Sequence, residues 1–317
     1  MPTDSGTSGA ATANKELPLG PAVFSMFLNV LFGANAVAVK ISLLGLGVFT
    51  TAGLRFLIAA IAISLWAVLT GQSLHIDRRQ ARQLFILSLF FVAQIALFYL
   101  GLNLTTASRG TLIGNLLPFV VLVLAHFFIP GDTITGRKVV GIILGFCGVL
   151  FVALDRQGVT SDIQTGDLII FCAVLIWGMS AVYVKRISST IHPLIISLYP
   201  MFLAVPCFLL AGFVWDGGMV RFVDNSVAMA LLYQALVTAS FGFIAWNTLL
   251  RKYGATALHS FVFIMPISGV FFGVVLLGEP LTPHLLASIA LIAAGIVVIN
   301  GKRRRLPGVP RSRSDLK

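Results

Sequence analysis

A few polar side chains set inside long apolar runs are the groups with chemistry to offer in this chain. Asn35, Gln94, Tyr99, Asn115, Ser180, Gln234, Thr238 and Asn247 each interrupt such a run. An amide or hydroxyl surrounded by hydrocarbon needs a partner, either on a neighbouring helix or in a water-filled cavity. The sequence leaves both uses open. What these groups can do is hold a small polar or amphipathic molecule by hydrogen bonds. Gln234, Thr238 and Phe241 fall at i, i+4 and i+7, so they share one helical face. Asn35, Ser180 and Gln234 are the preferred cavity residues. Trp177 offers an apolar wall, and Trp246 either a wall or an interfacial anchor.

Charged groups inside the runs are rarer still. Arg55 stands about six residues into one, where a guanidinium is costly unless it is paired or wet. A bound carboxylate, backbone carbonyls, a lipid phosphate or Glu279 would each satisfy it. His259 titrates near neutral pH if accessible, or stays neutral and bonded to a neighbouring helix. Lys40 and Lys185 close two apolar runs and either snorkel to headgroups or attract anions. Pro118 and Pro266 each remove a backbone donor inside a run, which makes a hinge or a static kink. No acid/base or metal constellation of clustered carboxylates or histidines is visible within the runs, and no nucleotide-binding loop, so catalysis, a cofactor and direct nucleotide drive are not expected. Cys147, Cys172 and Cys207 fall singly in apolar segments and read as small hydrophobes.

The elements that position these residues follow from composition. Of the 317 residues, 58% are hydrophobic and 10% charged, against about a quarter charged in soluble domains. This is an all-α polytopic membrane protein. Apolar runs of roughly 20 residues lay out ten helices: Leu19–Val39, Phe49–Leu69, Leu84–Asn103, Gly110–Ile129 and Val139–Leu154, then Leu168–Val184, Pro193–Val214, Val227–Leu250, Ala255–Leu277 and His284–Asn300. None of these ten stretches contains Asp or Glu.

Charge in the connections supports that count. With a cytoplasmic N-terminus, the inner segments hold Arg78, Arg79, Arg82, Arg137, Lys138, Lys185, Arg186, Arg251 and Lys252, while the outer ones hold Arg109, Arg156 and Arg221 among six acidic residues. That is the positive-inside pattern. Seven basic residues crowd the stretch Lys302–Lys317, so the net charge of +11 speaks for a membrane surface and not for nucleic acid. Expected domains are a disordered cytoplasmic tail over 1–18, two five-helix units over 19–155 and 156–301, and a basic cytoplasmic tail over 302–317. The chain is expected in the cell membrane, the inner membrane if it is bacterial, with both termini cytoplasmic.

The two units are copies. Phe32–Lys40, FGANAVAVK, matches Trp177–Lys185, WGMSAVYVK, at an offset of 145, and Asn35 falls on Ser180. Ala107 and Pro118 fall on Ala255 and Pro266 at 148, and Gly131, Asp132, Thr135 and Gly148 on Gly278, Glu279, Thr282 and Gly295 at 147. Five is odd, so the second copy enters the membrane upside down: two five-helix inverted-topology repeats, on which alternating-access carriers are commonly built. Thr282 followed by Pro283 reads as a helix start, with Glu279 beside that positive end and architectural in role.

Together the FGANxxxxK and WGMSxxxxK helices, the Ala-x10-Pro helices and the GEPLTP ending resemble the EamA-type branch of the drug/metabolite transporter superfamily. The likeness runs from Leu19 to Gly301; Phe32 and the PGD at Asp132 depart from the usual pattern. The resemblance implies a secondary carrier with a central cavity, often an exporter of amino acids or related metabolites. The candidate substrate-binding residues are then Asn35, Arg55, Gln94, Asn115, Trp177, Ser180, Gln234, Trp246 and His259, with Pro118 and Pro266 as hinges. The expected partners are a small-molecule substrate and the lipid bilayer. The missing intramembrane carboxylate points to a facilitator or exchanger, or to coupling through another group. A channel or a non-transporting sensor is the alternative.

Overall fold

The computed structural model describes residues 18–72, 74–129, 134–155, 160–188, 190–253, 258 and 261–300. Residues 1–17 of the expected N-terminal tail, the expected C-terminal tail, the PGD stretch with Asp132, Arg156, His259 and Ser260 lie outside the described residues. Helices α1 (Leu19–Gly45), α2 (Val48–Leu69) and α3 (Arg78–Leu104) are followed by a broken span, α4 (Ala107–Gly114) and α5 (Leu117–Phe128), and by α6 (Gly136–Leu154). The second half holds α7 (Ser161–Ile187) and α8 (Pro193–Trp215). A composite span of α9 (Asn225–Leu232), a π-helix (Tyr233–Gly242) and α10 (Phe243–Tyr253) comes next, then α11 (Ile264–Leu277) and α12 (Pro283–Asn300). Among the described residues, nine stretches are long and apolar enough to cross a membrane, and α11 is a shorter apolar helix of 14 residues. These account for the ten spans read from the sequence.

Local chemistry sets the helix starts. Asp77 accepts from the Gln80 amide while Gln80 reaches back to the Asp77 amide, a reciprocal cap. Asp224 accepts from the Val227 amide at 2.8 Å. Thr282 accepts from the Leu285 amide at 3.1 Å with Pro283 first in the helix, as its sequence implies. Several helices run beyond the expected apolar cores. As a result α7 carries Asp162 and Asp167 in its first two turns, and Lys40 lies inside α1 rather than at its end. Arg109, expected in a loop, belongs to the first turn of α4 and is buried.

The helix pairing shows the internal symmetry. α6 lies along α12 and α2 along α8, each pair being its own image under exchange of the halves. The pairing of α3 with α7 has its image in α1 against the α9–π–α10 span, and α1 on α11 has its image in α7 on α4–α5. At the α6–α12 crossing, a side chain at Gly141 would strike the backbone of Gly295, and one at Gly148 the backbone of Ser288. Exchanging the halves at offset 147 turns the first contact into the second. The two helices are therefore antiparallel about a two-fold axis, and the repeats are inverted. Large apolar side chains such as Leu65, Val68, Phe213, Phe271 and Val275 are exposed on the outside of the bundle, where a bilayer would cover them.

One element breaks the symmetry. The capping residues Asp77 and Asp224 are 147 positions apart, whereas Ala107 and Ala255 are 148 apart. The second half thus holds one extra residue in this span, and it is here that α-helix gives way to the π-helix. A π-helix takes up more residues per turn than an α-helix, bonding i to i+5; Ser240 Oγ accordingly bonds the carbonyl of Ala235, five residues back.

Candidate functional site

The π-helix faces α1, α2 and α3, and the polar residues of these four elements meet. Arg55 stands seven positions after the start of α2, roughly 10 Å along the axis. Its Nη1 donates to Tyr99 Oη at 3.0 Å and its Nη2 reaches Thr238 Oγ1 at 3.4 Å. Tyr99, wholly buried on α3, donates to Gln234 Oε1 at 2.8 Å. Gln234 Nε2 in turn donates to Ser42 Oγ at 2.7 Å and lies 3.2 Å from the carbonyl of Ala38 on α1. Thr238 Oγ1 is 2.9 Å from Asn35 Oδ1 and 2.8 Å from the Gln234 carbonyl; its single proton serves one at a time. Every link from Tyr99 to Gln234 and from Arg55 or Asn35 to Thr238 joins one repeat to the other.

Arg55 has no ion-pair partner among the described residues, and its Nε is buried without a hydrogen-bond partner. Arg55 and Asn35 are partly exposed, whereas Tyr99, Gln234 and Thr238 are buried. The set is thus a cation and hydrogen-bonding groups within the bundle, two of them partly exposed.

A second polar layer closes the end of the bundle at which α1, α3, α6, α8 and α11 finish. Glu279 accepts from the amides of Ala107 and Ser108 at 2.6 and 2.8 Å, capping α4. Gly278 makes this possible: at φ 67 it ends α11 in the left-handed region, which favours glycine. Lys40 Nζ donates to the carbonyls of Leu102 and Thr105 at 3.0 and 2.7 Å, at the end of α3. Opposite charges therefore clasp the two helix ends flanking one tight turn, each beside the dipole end it suits. Asp216 accepts from the amides of Phe49 and Thr50 at 3.1 and 2.8 Å. Arg109 pairs with Asp167, which also accepts from Thr105 at 2.6 Å, and Asp155 accepts from Thr282 at 2.6 Å. A cavity of about 390 Å³ beside Arg109 and Asp167 is lined by Ile113, Val149, Val152 and Phe171; it is separate from the Arg55 network.

The model of the EamA-like transporter family matches residues 20–154 and again 164–301. The chain belongs to the EamA-like transporter family. A Bacillus subtilis relative, "Uncharacterized transporter YoaV", is 21% identical over 271 residues, covering 85% of this chain and 92% of its own. An Escherichia coli relative, "Probable amino-acid metabolite efflux pump", is 24% identical over 285 residues, 87% of this chain and 93% of its own. A solved crystal structure superposes with a TM-score of 0.66 at 18% identity, covering 88% of this chain and 96% of that one; at that identity it speaks for the fold. The protein is a membrane transporter.

Within this EamA-like transporter, three of the expected site residues come together: Asn35, Arg55 and Gln234. Trp177 lies one ring further out, edge-on to Phe98 at 6.4 Å, with Phe98 in turn 6.5 Å from Tyr99. Gln94 is buried with its Oε1 unpartnered. Ser180 is buried on α7 and takes no part in the network. Asn115 Nδ2 donates to the Thr111 carbonyl at 2.8 Å and closes the break before α5. Trp246 stands edge-on to Phe32 at 6.2 Å. Pro118 and Pro266 sit in the first turns of α5 and α11, so they follow breaks instead of interrupting continuous helices. Glu279 caps α4 and not its own following helix, and Lys40 folds onto α3 instead of snorkelling.

Ser42 was missed. It lies seven positions after Asn35 and therefore on its face of α1, a spacing that marks it.

Proposed function

We propose that this protein is a secondary transporter that moves small metabolites by alternating access between its two inverted repeats, as an exporter of amino acids or related compounds. The observation that carries the reading is the inter-repeat network itself. Arg55, Asn35 and Tyr99 of one repeat meet Gln234 and Thr238 of the other inside the bundle. A site shared by two bodies is the one that changes access when they rock. The closing layer built by Glu279, Asp216 and the Arg109–Asp167 pair also joins the repeats, so it suits a gate at one end. The efflux assignment of the Escherichia coli relative supports the direction and the substrate class. On this reading both termini face the cytoplasm, as the positive charge of the inner connections supports.

Counterflow in proteoliposomes tests this. Vesicles loaded with an unlabelled amino-acid metabolite should accumulate the labelled compound transiently, and Gln234→Ala should lower the initial rate at least tenfold. Flux that is insensitive to unlabelled substrate on the far side would mean a channel.

A further inference from the structure

The charge balance around Arg55 bears on the chemistry of the cargo. Of the five N–H groups of its guanidinium, one is given to Tyr99 at 3.0 Å and one makes the long 3.4 Å approach to Thr238. Nε has no partner although it is buried. Nε and Nη2 form the side-on edge of the fork that receives both oxygens of a carboxylate, and this is the under-used edge. Among the described residues, no carboxylate fills it. The ten apolar runs hold no Asp or Glu. Asp216, near the start of α2, is engaged by the amides of Phe49 and Thr50. Asp167 is engaged by Arg109 and Thr105.

The charge is also one-sided. Under exchange of the halves at offsets of 145 to 148, Arg55 falls on the stretch Pro200–Leu203, PMFL, which carries no charge. The internal symmetry therefore supplies no second cation and no matching anion. The guanidinium lies 5.2 Å from the centroid of the Phe56 ring, which offsets part of the cost of a cation in this setting; a ligand of opposite sign offsets the rest.

We propose that the cargo is a small organic acid taken up as its anion, its carboxylate held on the Nε–Nη2 edge of Arg55, and that cations of the same size are excluded. This rests on the transporter reading and narrows it. Asn35, partly exposed and one link away through Thr238, adds amide donors. An ammonium group would meet a guanidinium and no carboxylate, so like charges disfavour amines.

The test uses the full-length protein purified in detergent and eight probes on two scaffolds. The aromatic set is phenylacetate, phenylalanine, phenylacetamide and phenethylamine. The aliphatic set is 4-methylpentanoate, leucine, 4-methylpentanamide and isoamylamine. Thermal shift at neutral pH reads the apparent Kd. At least one acid should bind, the zwitterion more weakly and the amine not at all. Arg55→Gln should raise the Kd of the acid at least tenfold; Arg55→Lys, which keeps the charge without the fork, should fall between. If Arg55→Gln aggregates on gel filtration, Arg55→Lys decides. Equal or tighter binding of the amine or the neutral amide overturns the proposal, as does undiminished acid affinity in a folded Arg55 variant, or binding of neither acid. Counterflow separates the two claims. Exchange of a neutral or cationic probe by the wild type leaves a transporter with a different cargo, whereas a bound acid that shows no exchange leaves an anion site on a protein that does not carry it.

Discussion

Tyr99 is the residue on which the interior network turns. Its hydroxyl receives from Arg55 and gives to Gln234, so it joins α2 to the π-helix through α3. Removing that one oxygen leaves a buried acceptor on Gln234 and a donor on Arg55 unpaired, at about 1–3 kcal/mol. Tyr99→Phe should therefore lower the unfolding temperature in detergent and weaken substrate binding together. An unchanged melting curve would show that the hydroxyl carries no weight. Arg109 poses the contrasting case. It is 3% exposed and paired with Asp167. Breaking one partner of a buried ion pair strands the other charge and costs about 3–5 kcal/mol, whereas replacing both with apolar residues costs much less. Arg109→Met should be the more damaging single change, and Arg109→Met combined with Asp167→Leu should recover much of the loss by thermal unfolding.

At the scale of elements, the π-helix decides where the polar face lies. Gln234 and Thr238 sit within it, and α10 follows with a rotation set by the extra residue. Deleting Ala239 leaves both polar residues in place relative to α9 but should return the segment to α-helical spacing, turning α10 by about 100°. Trp246 would then leave Phe32, against which it now packs. The expected outcome is a folded protein whose counterflow rate falls at least tenfold; full activity would show that the widened turn is incidental.

Much of this architecture was legible in the chain. The ten apolar runs and the repeat offsets give the spans and their inversion, because burial in lipid leaves few compositional choices. The i, i+4 spacing of Gln234 and Thr238 marks the side of the π-helix that joins the inter-repeat network. The π-helix was visible only as a slip between offsets of 147 and 148. The Glu279 cap on α4 could not be read from neighbouring residues, since its partners Ala107 and Ser108 lie more than 170 positions away. Arg109 and Asp167 looked like loop charges because an apolar criterion trims helices where paired charges extend them.

For the whole molecule, the decisive property is that the two repeats cross the membrane in opposite directions. The connections after α2 and α8 are equivalent points separated by five spans, so they must lie on opposite sides, and the connection after α7, one span before the second, must share the side of the first. Gln72 and Gly217 are exposed in such connections, and Ser188 is exposed directly after α7. In a background with Cys147, Cys172 and Cys207 replaced by serine or alanine, single cysteines at these positions can be labelled with an impermeant maleimide. With the termini in the cytoplasm, Gly217→Cys should react in intact cells, and Gln72→Cys and Ser188→Cys only after the membrane is opened. If Gln72→Cys and Ser188→Cys fall on opposite sides, five helices no longer separate equivalent points of the two repeats, and the two-fold axis in the membrane plane is lost. The proposed rocking motion needs that axis, because only inverted halves let one arrangement of contacts at the Glu279 end be exchanged for its image at the other.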